Sequence, residues 1–378
     1  MKNRIKILYL YNHLRYGGAE IGLLTTLKYI DRNRFDCSVV SIEKRGAVGE
    51  MIEKIGVKVT YLNTDSVLYN LTAIFRVLKI LKCQRPDILH TSLFYSNFFG
   101  RMAALFLFRG RPVVITEERS MYTEKRFYHI LIDNLLERMT DKIIACSRSV
   151  IDFTVRQERI PENKFYLIYN AVDSDRFNVR ESKGEIKKRY HIPETDFVIG
   201  TVGSVIPKKG HKFLIEACGD LVKEIPNLKV IIAGGGENRR DLEGLARITG
   251  IAQKVQFFDF GNEIPELMKV MDVFVLPSLQ EGFPRTLIEA MYMGIAVCAS
   301  NISGIPEIVR DGENGFLLDP GDPAAITKKI ISLYADANLR NRLGSNARKT
   351  IESGYLPRDY LESLEGLYSK LCDRGGMN

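Results

Sequence analysis

The sequence predicts an α/β fold built from two doubly wound parallel sheets, one in each half of the chain. Short runs rich in β-branched and aromatic residues alternate with segments of helical length, a pattern typical of strand–helix–strand units. This alternation occurs twice, and a charged, Lys-rich stretch over residues 180–189 separates the two series. We therefore expect one domain over residues 1–178 and a second over residues 179–356. The carboxyl ends of the two sheets are expected to face each other across a cleft, where ligands of such folds usually bind.

The expected elements follow this alternation in chain order. In the first domain, the first strand is followed by a helix from about Ala19, and a later helix is expected over residues 71–82. The strands of this domain are expected at residues 5–11, 37–42, 57–62, 88–90, 113–116 and 143–145. Those of the second domain are expected at residues 197–202, 229–233, 255–258, 273–276 and 295–299, with helices between them and two more at 324–335 and 339–353.

Composition excludes several classes of protein. The chain has 378 residues, of which 45% are hydrophobic and 26% are charged, so a disordered, collagen-like or coiled-coil protein is excluded. Its longest apolar run, residues 102–108, is far shorter than the roughly 20 residues that span a bilayer, and the N-terminal apolar run is too short for a signal peptide. The six cysteines are scattered without a C-x-x-C pair, which favours neither disulfides nor a zinc site. The expected location is the cytoplasm.

The net charge of +8 is concentrated in the first half of the chain. Residues 1–178 hold 28 Lys and Arg against 19 Asp and Glu, whereas the remainder holds 26 against 27. Such an excess suits an anionic partner, such as a phosphate-bearing substrate, a nucleic acid or a membrane surface, and a solvated basic face without a partner is the alternative. No recognised nucleic-acid-binding module is present, so no nucleic-acid partner is expected.

The most informative segment is LPSLQEGFPRTLIEAMYMG, residues 276–294. After a strand and a loop, a helix is expected to begin with Pro284 in its first turn and to be capped by Gly294. The free backbone N–H groups at the start of this helix favour an anion such as a diphosphate. Glu281 lies in the loop and can bind hydroxyls near the phosphate, while Glu289 lies in the helix and can reach a ribose diol. The alternatives are a loop carboxylate near the helix N-terminus and a helix surface residue.

Two glycine-containing turns also follow strands. At the start of the second domain, Lys209 stands beside Gly210 at a strand-to-helix turn, where a lysine can neutralise a phosphate and a glycine lets the backbone approach it. A solvated turn is the alternative. After the first strand of the chain, Gly17 and Gly18 permit a tight turn and a close backbone approach, or mark a plain helix entry. Neither loop has the spacing of a Walker A loop or of a dinucleotide fingerprint.

Two histidines are candidates to line the cleft. His13 and His90 each fall at the end of a strand of the first sheet. Ligands bind at such strand ends, but a lone histidine is more often structural. Both interpretations therefore remain open for each residue.

Taken in chain order, six segments resemble one enzyme family. The segments GGAE, YNAVDSDRF, GSVIPKKGH, AGGGENR, DVFVLPSLQEGFPRTLIEAM and SGIPEIVRDGENGFLLDPGDP are similar to those of the family 4 retaining glycosyltransferases of the GT-B fold. The resemblance covers nearly the whole chain, and Glu281 and Glu289 match the family's E-x7-E motif. It implies two Rossmann-like domains, the first binding the acceptor and the second a nucleotide-sugar donor. It also implies that a C-terminal helix within residues 357–378 crosses back onto the first domain.

The resemblance also implies roles for individual residues. Glu281 would contact hydroxyls of the donor sugar, Glu289 the ribose, and Lys209 the diphosphate. Glu281, Lys209 and His90 are the expected catalytic residues, and His13 and Glu118 the expected acceptor-side residues. Besides Lys209 and Glu289, the residues expected to bind the donor are Gly17, Gly18, Ser204, Gly282, Phe283, Pro284, Arg285, Thr286 and Leu287.

Two positions depart from the family pattern. Ser204 stands where the family often has an arginine, and Glu118 stands where it often has a histidine. Lys208, Arg285 or backbone amides are candidates to compensate for the missing cation. The DSD sequence at residues 173–175 is similar to the metal-binding signature of another glycosyltransferase fold, but it lies in a segment resembling this family's domain junction. We interpret its aspartates as turn and cap residues, and expect no metal or other cofactor.

The expected function is that of a metal-independent, retaining glycosyltransferase. It would move a sugar from a UDP- or GDP-sugar to a hydroxyl of a glycan or lipid-linked saccharide in cell-surface polysaccharide biosynthesis. A nucleotide-sugar-binding regulatory subunit and an epimerase or hydrolase of the same fold are the alternatives. The basic, aromatic segment 94–112 and the basic helix containing residues 76–82 suit peripheral contact with the anionic inner face of the cell membrane. Crossover helices packed on the sheet are the alternative.

Overall fold

The structure, a computed structural model, describes residues 4–64, 72–107, 109–121 and 127–375. The chain divides into two units, Met1–Asn170 with Pro357–Asn378, and Ala171–Leu356. It therefore leaves the first unit at Asn170, whereas the sequence predicts a boundary after residue 178, and it returns to that unit at Pro357. Within the second unit, the Val172 N–H donates a 3.1 Å hydrogen bond to the Tyr355 carbonyl, which joins the entering and leaving segments.

The first unit contains a parallel sheet of seven strands in the order β3-β2-β1-β4-β5-β6-β7. The central strands β1 and β4 are buried along most of their length because helices cover both faces of the sheet. The strand order reverses between β1 and β4, and ligands bind at the carboxyl ends of strands at such a point. The strands are β1 (Ile5–Tyr11), β2 (Phe35–Ser41), β3 (Lys58–Tyr61), β4 (Ile88–Ser92), β5 (Val113–Glu118), β6 (Lys142–Ala145) and β7 (Phe165–Leu167).

Seven helices of the first unit lie in the described residues. The last of them, α14, comes from the C-terminal end of the chain and packs against α1, and its Leu364 and Tyr368 are fully buried. The helices are α1 (Gly18–Tyr29), α2 (Ala47–Lys54), α3 (Thr72–Gln84), α4 (Phe94–Leu105), α5 (Phe127–Leu136), α6 (Arg148–Glu158) and α14 (Pro357–Gly375). Residue 71, where the helix over 71–82 is predicted to begin, lies outside the described residues.

The second unit contains a parallel sheet of six strands in the order β10-β9-β8-β11-β12-β13. Here the order reverses between β8 and β11, so the carboxyl ends of these two strands mark the expected ligand site. The strands are β8 (Phe197–Val202), β9 (Leu228–Ala233), β10 (Val255–Phe258), β11 (Val273–Leu276), β12 (Ala296–Ser300) and β13 (Phe316–Leu318). The helices are α7 (Lys183–Arg189), α8 (His211–Glu224), α9 (Arg239–Ile248), α10 (Ile264–Val270), α11 (Arg285–Tyr292), α12 (Pro323–Ala335) and α13 (Ala337–Glu352).

The predicted fold class, two doubly wound parallel sheets, is confirmed. The sequence analysis missed β7 and β13, which have only three residues each and lie at sheet edges, where the apolar pattern is weakest. All six cysteines are free. Among the described residues, no helix combines the length and apolar character needed to cross a bilayer.

Candidate functional site

Lys209 and Glu281 form an ion pair at the carboxyl edge of the second unit's sheet. Lys209 ends a short 3-10 turn after β8, and Glu281 lies in the loop after β11. Lys209 Nζ is 2.6 Å from Glu281 Oε1, and this oxygen also accepts a 2.7 Å hydrogen bond from Ser278 Oγ. The Glu281 side chain is only 7% exposed, while that of Lys209 is 21% exposed. The sheet edge therefore holds a cation and a carboxylate in one partly enclosed place.

Gly210 allows the two loops to meet. Its φ of +65° lies in the left-handed region, and a Cβ at this position would be 1.9 Å from the Pro277 carbonyl oxygen. Beside it, the Leu279 N–H donates a 2.8 Å hydrogen bond to the Lys208 carbonyl. The sequence pattern predicts that Gly210 lets the backbone approach a phosphate. In the structure, the group that lies close to Gly210 is the backbone of the loop after β11.

The N-terminus of α11 lies at the same carboxyl edge of the second unit's sheet. The helix begins at Arg285, and Pro284 is its N-cap, one position before the predicted first turn. No side chain caps this end in the described part of the chain. The first three N–H groups of a helix have no acceptor within it, so those of residues 285–287 are available to an anion. Glycine 294, with φ +74°, follows the C-terminal end as predicted.

Most side chains at this helix start point into the protein. Thr286 is half-buried, and the buried residues are Gly282, Phe283, Pro284, Arg285 and Leu287. The Phe283 ring stacks on Tyr355 at 5.7 Å, and Arg285 Nη1 donates a 2.8 Å hydrogen bond to the Ala171 carbonyl. The Arg285 guanidinium is thus held by backbone, which argues against it as a replacement for the missing cation at Ser204. A ligand at this end would contact mainly backbone N–H groups.

Glu289 is buried in α11, 6% exposed, so the alternative of a helix surface residue is wrong. Burial raises the pKa of its carboxyl above the usual value, Arg176 and Arg285 lower it, and Asp173 raises it. A buried carboxyl with two arginines nearby is suited to bind a pair of hydroxyls. Arg176 was not singled out from the sequence, because it is distant in the chain from both glutamates.

The loop after β8 contains the two remaining residues of interest in the second unit. Ser204 is half-buried, and its carbonyl accepts a 3.0 Å hydrogen bond from the Ile206 N–H. His211 begins α8 directly after Gly210 and is 3% exposed. Burial, with a smaller contribution from Lys209, lowers the pKa of His211 to about 4, so this ring is neutral at physiological pH.

In the first unit, the loop after β1 brings Gly17, Glu20 and His13 together. Gly17 is the N-cap of α1 and Gly18 its first residue. Gly17 has extended backbone, and a Cβ there would be 2.2 Å from Glu20 Oε2. A side chain at position 17 would therefore force the flexible Glu20 side chain to move, while the extended backbone shows no tight turn that needs glycine. His13 is half-buried, with its Nδ1 3.3 Å from Glu20 Oε1. Glu20 lies in the first turn of α1, where an acidic residue is an ordinary feature of a helix entry.

His90 belongs to a buried polar network. Its Nδ1 is 2.6 Å from the Tyr368 hydroxyl of α14, and its Nε2 is 3.2 Å from Glu117 Oε1. Arg119 Nε contacts Glu117 Oε2 at 2.7 Å, and Arg119 Nη1 contacts Asn170 Oδ1 at 3.1 Å. His90 is only 2% exposed. This burial corrects the prediction that His90 lines a cleft and touches substrate, because both ring nitrogens face protein groups.

Glu118, the other acceptor-side candidate, is also largely enclosed. It is 9% exposed at the end of β5, and its Oε1 is 3.5 Å from Asn97 Nδ2 of α4. The carboxyl lies at the same sheet edge as Glu117, but its side chain is turned toward α4. The structure therefore encloses the Glu118 carboxyl within the first unit, against Asn97.

Two family models match the chain. The model described as Glycosyltransferase Family 4 matches residues 16–176, and the model described as Glycosyl transferases group 1 matches residues 182–350. This chain belongs to the family 4, group 1 glycosyltransferases.

Curated relatives and solved structures match over nearly the whole length. The UDP-Gal:α-D-GlcNAc-diphosphoundecaprenol α-1,3-galactosyltransferase of Escherichia coli is 25% identical over 97% of each chain. The capsular polysaccharide biosynthesis glycosyltransferase CapM of Staphylococcus aureus is 24% identical over 91% of this chain and 92% of CapM. The Anabaena protein HepE in complex with UDP-glucose has a TM-score of 0.87, 23% identity, and coverage of 97% of this chain and 100% of HepE. These likenesses confirm the GT-B fold of this glycosyltransferase.

The aspartates of the DSD segment are turn residues in this glycosyltransferase. Asp173 accepts backbone hydrogen bonds from the N–H groups of Arg176 and Phe177, and Asp175 accepts one from Asn178. The Arg176 backbone N–H also donates a 3.4 Å hydrogen bond to Asp173 Oδ1. Within the described ranges, no group of three or more His, Cys, Asp or Glu side chains is arranged to hold a metal ion.

The first twelve residues of the basic, aromatic segment 94–112 form α4 (Phe94–Leu105), which is packed inside the first unit of the glycosyltransferase. Its Phe99 is buried, and its Arg101 forms a buried ion pair with Asp133 of α5. The alternative interpretation, a crossover helix packed on the sheet, therefore describes α4, whose Arg101 is paired within the protein. Phe106, just after the helix, is 43% exposed. Residue 108 of the same segment lies outside the described residues.

Proposed function

We propose that this glycosyltransferase is a retaining enzyme that transfers a sugar from a UDP- or GDP-sugar to a hydroxyl of a glycan or lipid-linked saccharide in cell-surface polysaccharide biosynthesis. The observation that carries the proposal is the pairing of Lys209 with Glu281 beside the uncapped N-terminus of α11. Such a site suits a diphosphate joined to a polyhydroxyl group. The names of the relatives support a UDP-sugar, a diphosphoundecaprenol-linked acceptor and a role in polysaccharide synthesis.

Each group at this edge has a role in the proposed reaction. Lys209 and the N–H groups at the start of α11 hold the diphosphate and stabilise the charge that grows as it departs. Glu281 accepts hydrogen bonds from hydroxyls of the donor sugar, and the buried Glu289 accepts them from the ribose diol. These roles need no metal ion, because the lysine and the helix N-terminus supply the positive potential.

The transfer itself exchanges one bond for another on the same face of the sugar. The bond from the anomeric carbon to the diphosphate oxygen breaks, and a bond from that carbon to the acceptor oxygen forms. The leaving phosphate takes the proton of the acceptor hydroxyl. The first unit binds the acceptor, and closure of the enzyme accompanies donor binding. The enzyme acts in the cytoplasm, at the inner face of the cell membrane.

The test is thermal stabilisation by a panel of nucleotides and nucleotide sugars in EDTA, repeated with divalent metal. One UDP- or GDP-sugar is expected to raise Tm in EDTA, because a ligand that binds only the folded state stabilises it. This shift is expected to disappear in Glu289→Ala and weaken in Lys209→Ala. The matched control is Lys223→Ala, which removes an exposed lysine at the C-terminal end of α8 and should leave the shift intact.

Other outcomes would contradict specific parts of the proposal. A shift that requires metal would show that the metal-free assignment is wrong. A shift without transfer to any acceptor would favour a nucleotide-sugar-binding subunit. Release or inversion of the sugar without an acceptor would favour a hydrolase or epimerase.

We also propose peripheral contact between the first unit and an anionic membrane. On the described surface, the basic residues Lys82, Arg85 and Arg109 line one cavity with Phe106, and Phe75 of α3 is 67% exposed. Exposed apolar rings flanked by cations suit an interface of anionic lipid.

Flotation with phosphatidylglycerol and phosphatidylcholine vesicles tests this contact. Binding is expected only to the anionic vesicles, and charge reversal of Lys82, Arg85 and Arg109 to Glu should abolish it. The control reverses three exposed lysines of the second unit, Lys223, Lys328 and Lys349. Equal flotation with both lipids, or equal losses in the two triple variants, would refute the contact.

A further inference from the structure

A buried carboxyl and a half-buried imidazole face each other at the carboxyl end of β1, outside the donor site described above. Glu20, in the first turn of α1, has a side chain only 3% exposed. Its Oε1 lies 3.3 Å from His13 Nδ1, close enough for a charge interaction, but in the described part of the chain neither atom makes a hydrogen bond. The carboxyl also receives a hydrogen bond from the Glu20 backbone N–H. Burying an unsatisfied carboxyl oxygen is costly, so this arrangement requires an explanation beyond packing.

His13 presents its other edge outward. Its side chain is 32% exposed although Nδ1 is fully buried, so the accessible part of the ring is the edge that bears Nε2. The residue follows β1 at the point where the strand order of the sheet reverses, which is where a ligand of this unit is expected. Glu20 thus contacts the buried edge of the His13 ring, and Nε2 lies on the accessible edge.

We propose that Glu20 is a positioning residue that decides which nitrogen of His13 carries the proton, so that Nε2 accepts a hydrogen bond from a hydroxyl of the acceptor next to the one that attacks the sugar. A neutral imidazole has one N–H group. An ionised carboxylate behind Nδ1 selects the tautomer with its proton on Nδ1, which leaves Nε2 as an acceptor. A protonated carboxyl donates to Nδ1 instead, and Nε2 then carries the proton and can only donate. This inference rests on the proposed function only in naming the hydroxyl as that of the sugar acceptor.

The protonation properties of the two groups support this assignment. Burial raises the pKa of Glu20 to about 7, with a smaller lowering by Arg119. Burial is the main cause that lowers the pKa of His13 below its usual value. Glu43 raises this pKa by a smaller amount, and Arg15 lowers it further. These three residues, on the loops after β1, β2 and β5, are the charged groups facing the pair in the described ranges. Near neutral pH, the group that gains or loses a proton is therefore the Glu20 carboxyl, while the His13 ring stays neutral.

The test is nitrogen-15 NMR of the histidine rings in the full chain between pH 6 and pH 9, without substrate. The His13 signals are assigned by their absence in His13→Gln. In the wild type, the proton is expected to move from Nε2 to Nδ1 with a midpoint near pH 7. Glu20→Gln cannot ionise, so its His13 tautomer ratio should stay constant over this range. The matched control, Glu43→Gln, removes a nearby carboxylate that pairs with Arg15 and should keep the transition.

Two results would overturn the inference directly. One is a tautomer ratio in the wild type that does not change with pH, and the other is the same transition in Glu20→Gln. Because no variant is needed for the first measurement, misfolding of Glu20→Gln would not remove the test. Failure of the donor panel in EDTA would instead count against the proposed function and leave the tautomer result interpretable.

A kinetic measurement tests the contact with the acceptor hydroxyl. With the donor that the panel identifies and a GlcNAc-diphosphoundecaprenol acceptor, Glu20→Gln is expected to lower kcat/KM about tenfold at pH 8, the effect of one hydrogen bond. At pH 6, where the wild type is already protonated at Glu20, the two enzymes should differ little. Donor-induced stabilisation should be unchanged. An equal loss at both pH values would indicate a merely structural role and would refute the contact.

Discussion

Replacing Lys209 by Met is expected to lower kcat/KM for sugar transfer by about 10²- to 10³-fold, the effect of removing one group that stabilises charge in the transition state. Lys209 Nζ is held 2.6 Å from Glu281 Oε1, in the loop that leads into the N-terminus of α11. Methionine keeps the length of the apolar stem. Steady-state transfer rates with the identified donor measure the effect, with Lys223→Met, at the C-terminal end of α8, as the matched control.

A companion variant separates the loss of the cation from damage to Glu281. In Lys209→Met, the mostly buried Glu281 keeps only the hydrogen bond from Ser278 among those described for its Oε1. The double variant with Glu281→Gln removes this uncompensated charge. If lost phosphate stabilisation explains the effect, the double variant stays at least as slow as Lys209→Met. Recovery toward wild-type rates, or an equal loss in Lys223→Met, would show that Lys209 does not contact the diphosphate.

The second large effect is expected from Glu117→Gln, which should lower the free energy of unfolding by about 3–5 kcal/mol. Glu117 lies between His90 and Arg119, and its side chain is 4% exposed. Removing its charge leaves the Arg119 guanidinium buried without its carboxylate. Urea denaturation followed by circular dichroism measures the change. The control is Glu162→Gln, which removes the carboxylate of an exposed pair with Arg148 and should cost less than about 1 kcal/mol.

This effect should depend on pH in a defined direction. Burial alone would raise the pKa of Glu117, but Arg119 and His90 hold it well below its usual range. A carboxyl with a depressed pKa in the folded state adds stability above its unfolded pKa of about 4.3, and this stability is lost as the pH falls below that value. The difference between wild type and Glu117→Gln should therefore be full at pH 7 and shrink below about pH 4. A difference that is constant with pH would contradict the ionised state of Glu117.

The sequence predicts the strands of both sheets well because each buried strand of a parallel sheet is a continuous apolar run. It also places Lys209 and Glu281 at strand ends. Their contact depends on β8 and β11 being neighbours, and strand order is not written in any local pattern. The family resemblance supplied that missing step, which spacing alone could not.

His90 and Glu20 show where local patterns fail. His90 follows the rule that strand ends carry ligand contacts, but Tyr368, far along the chain on α14, covers its ring. Glu20 has the pattern of an ordinary first-turn carboxylate, and its burial depends on the approach to Gly17 and His13. In both cases the deciding contact is tertiary, and neither hydrophobic periodicity nor helix capping can reveal it.

The first unit is discontinuous in the chain, and this has a consequence for synthesis on the ribosome. In the buried interior, the Tyr368 hydroxyl of α14 lies 2.6 Å from His90 Nδ1 and 3.0 Å from the Tyr9 hydroxyl. The segment Ala171–Leu356 leaves the ribosome before this helix does. The second unit is therefore completely synthesised before the first unit is. This order is the reverse of the usual one, in which the N-terminal domain is completed first. Until α14 has been synthesised, nascent chains expose the surface of α1 and β1 that it later covers, and we expect chaperones to bind this surface.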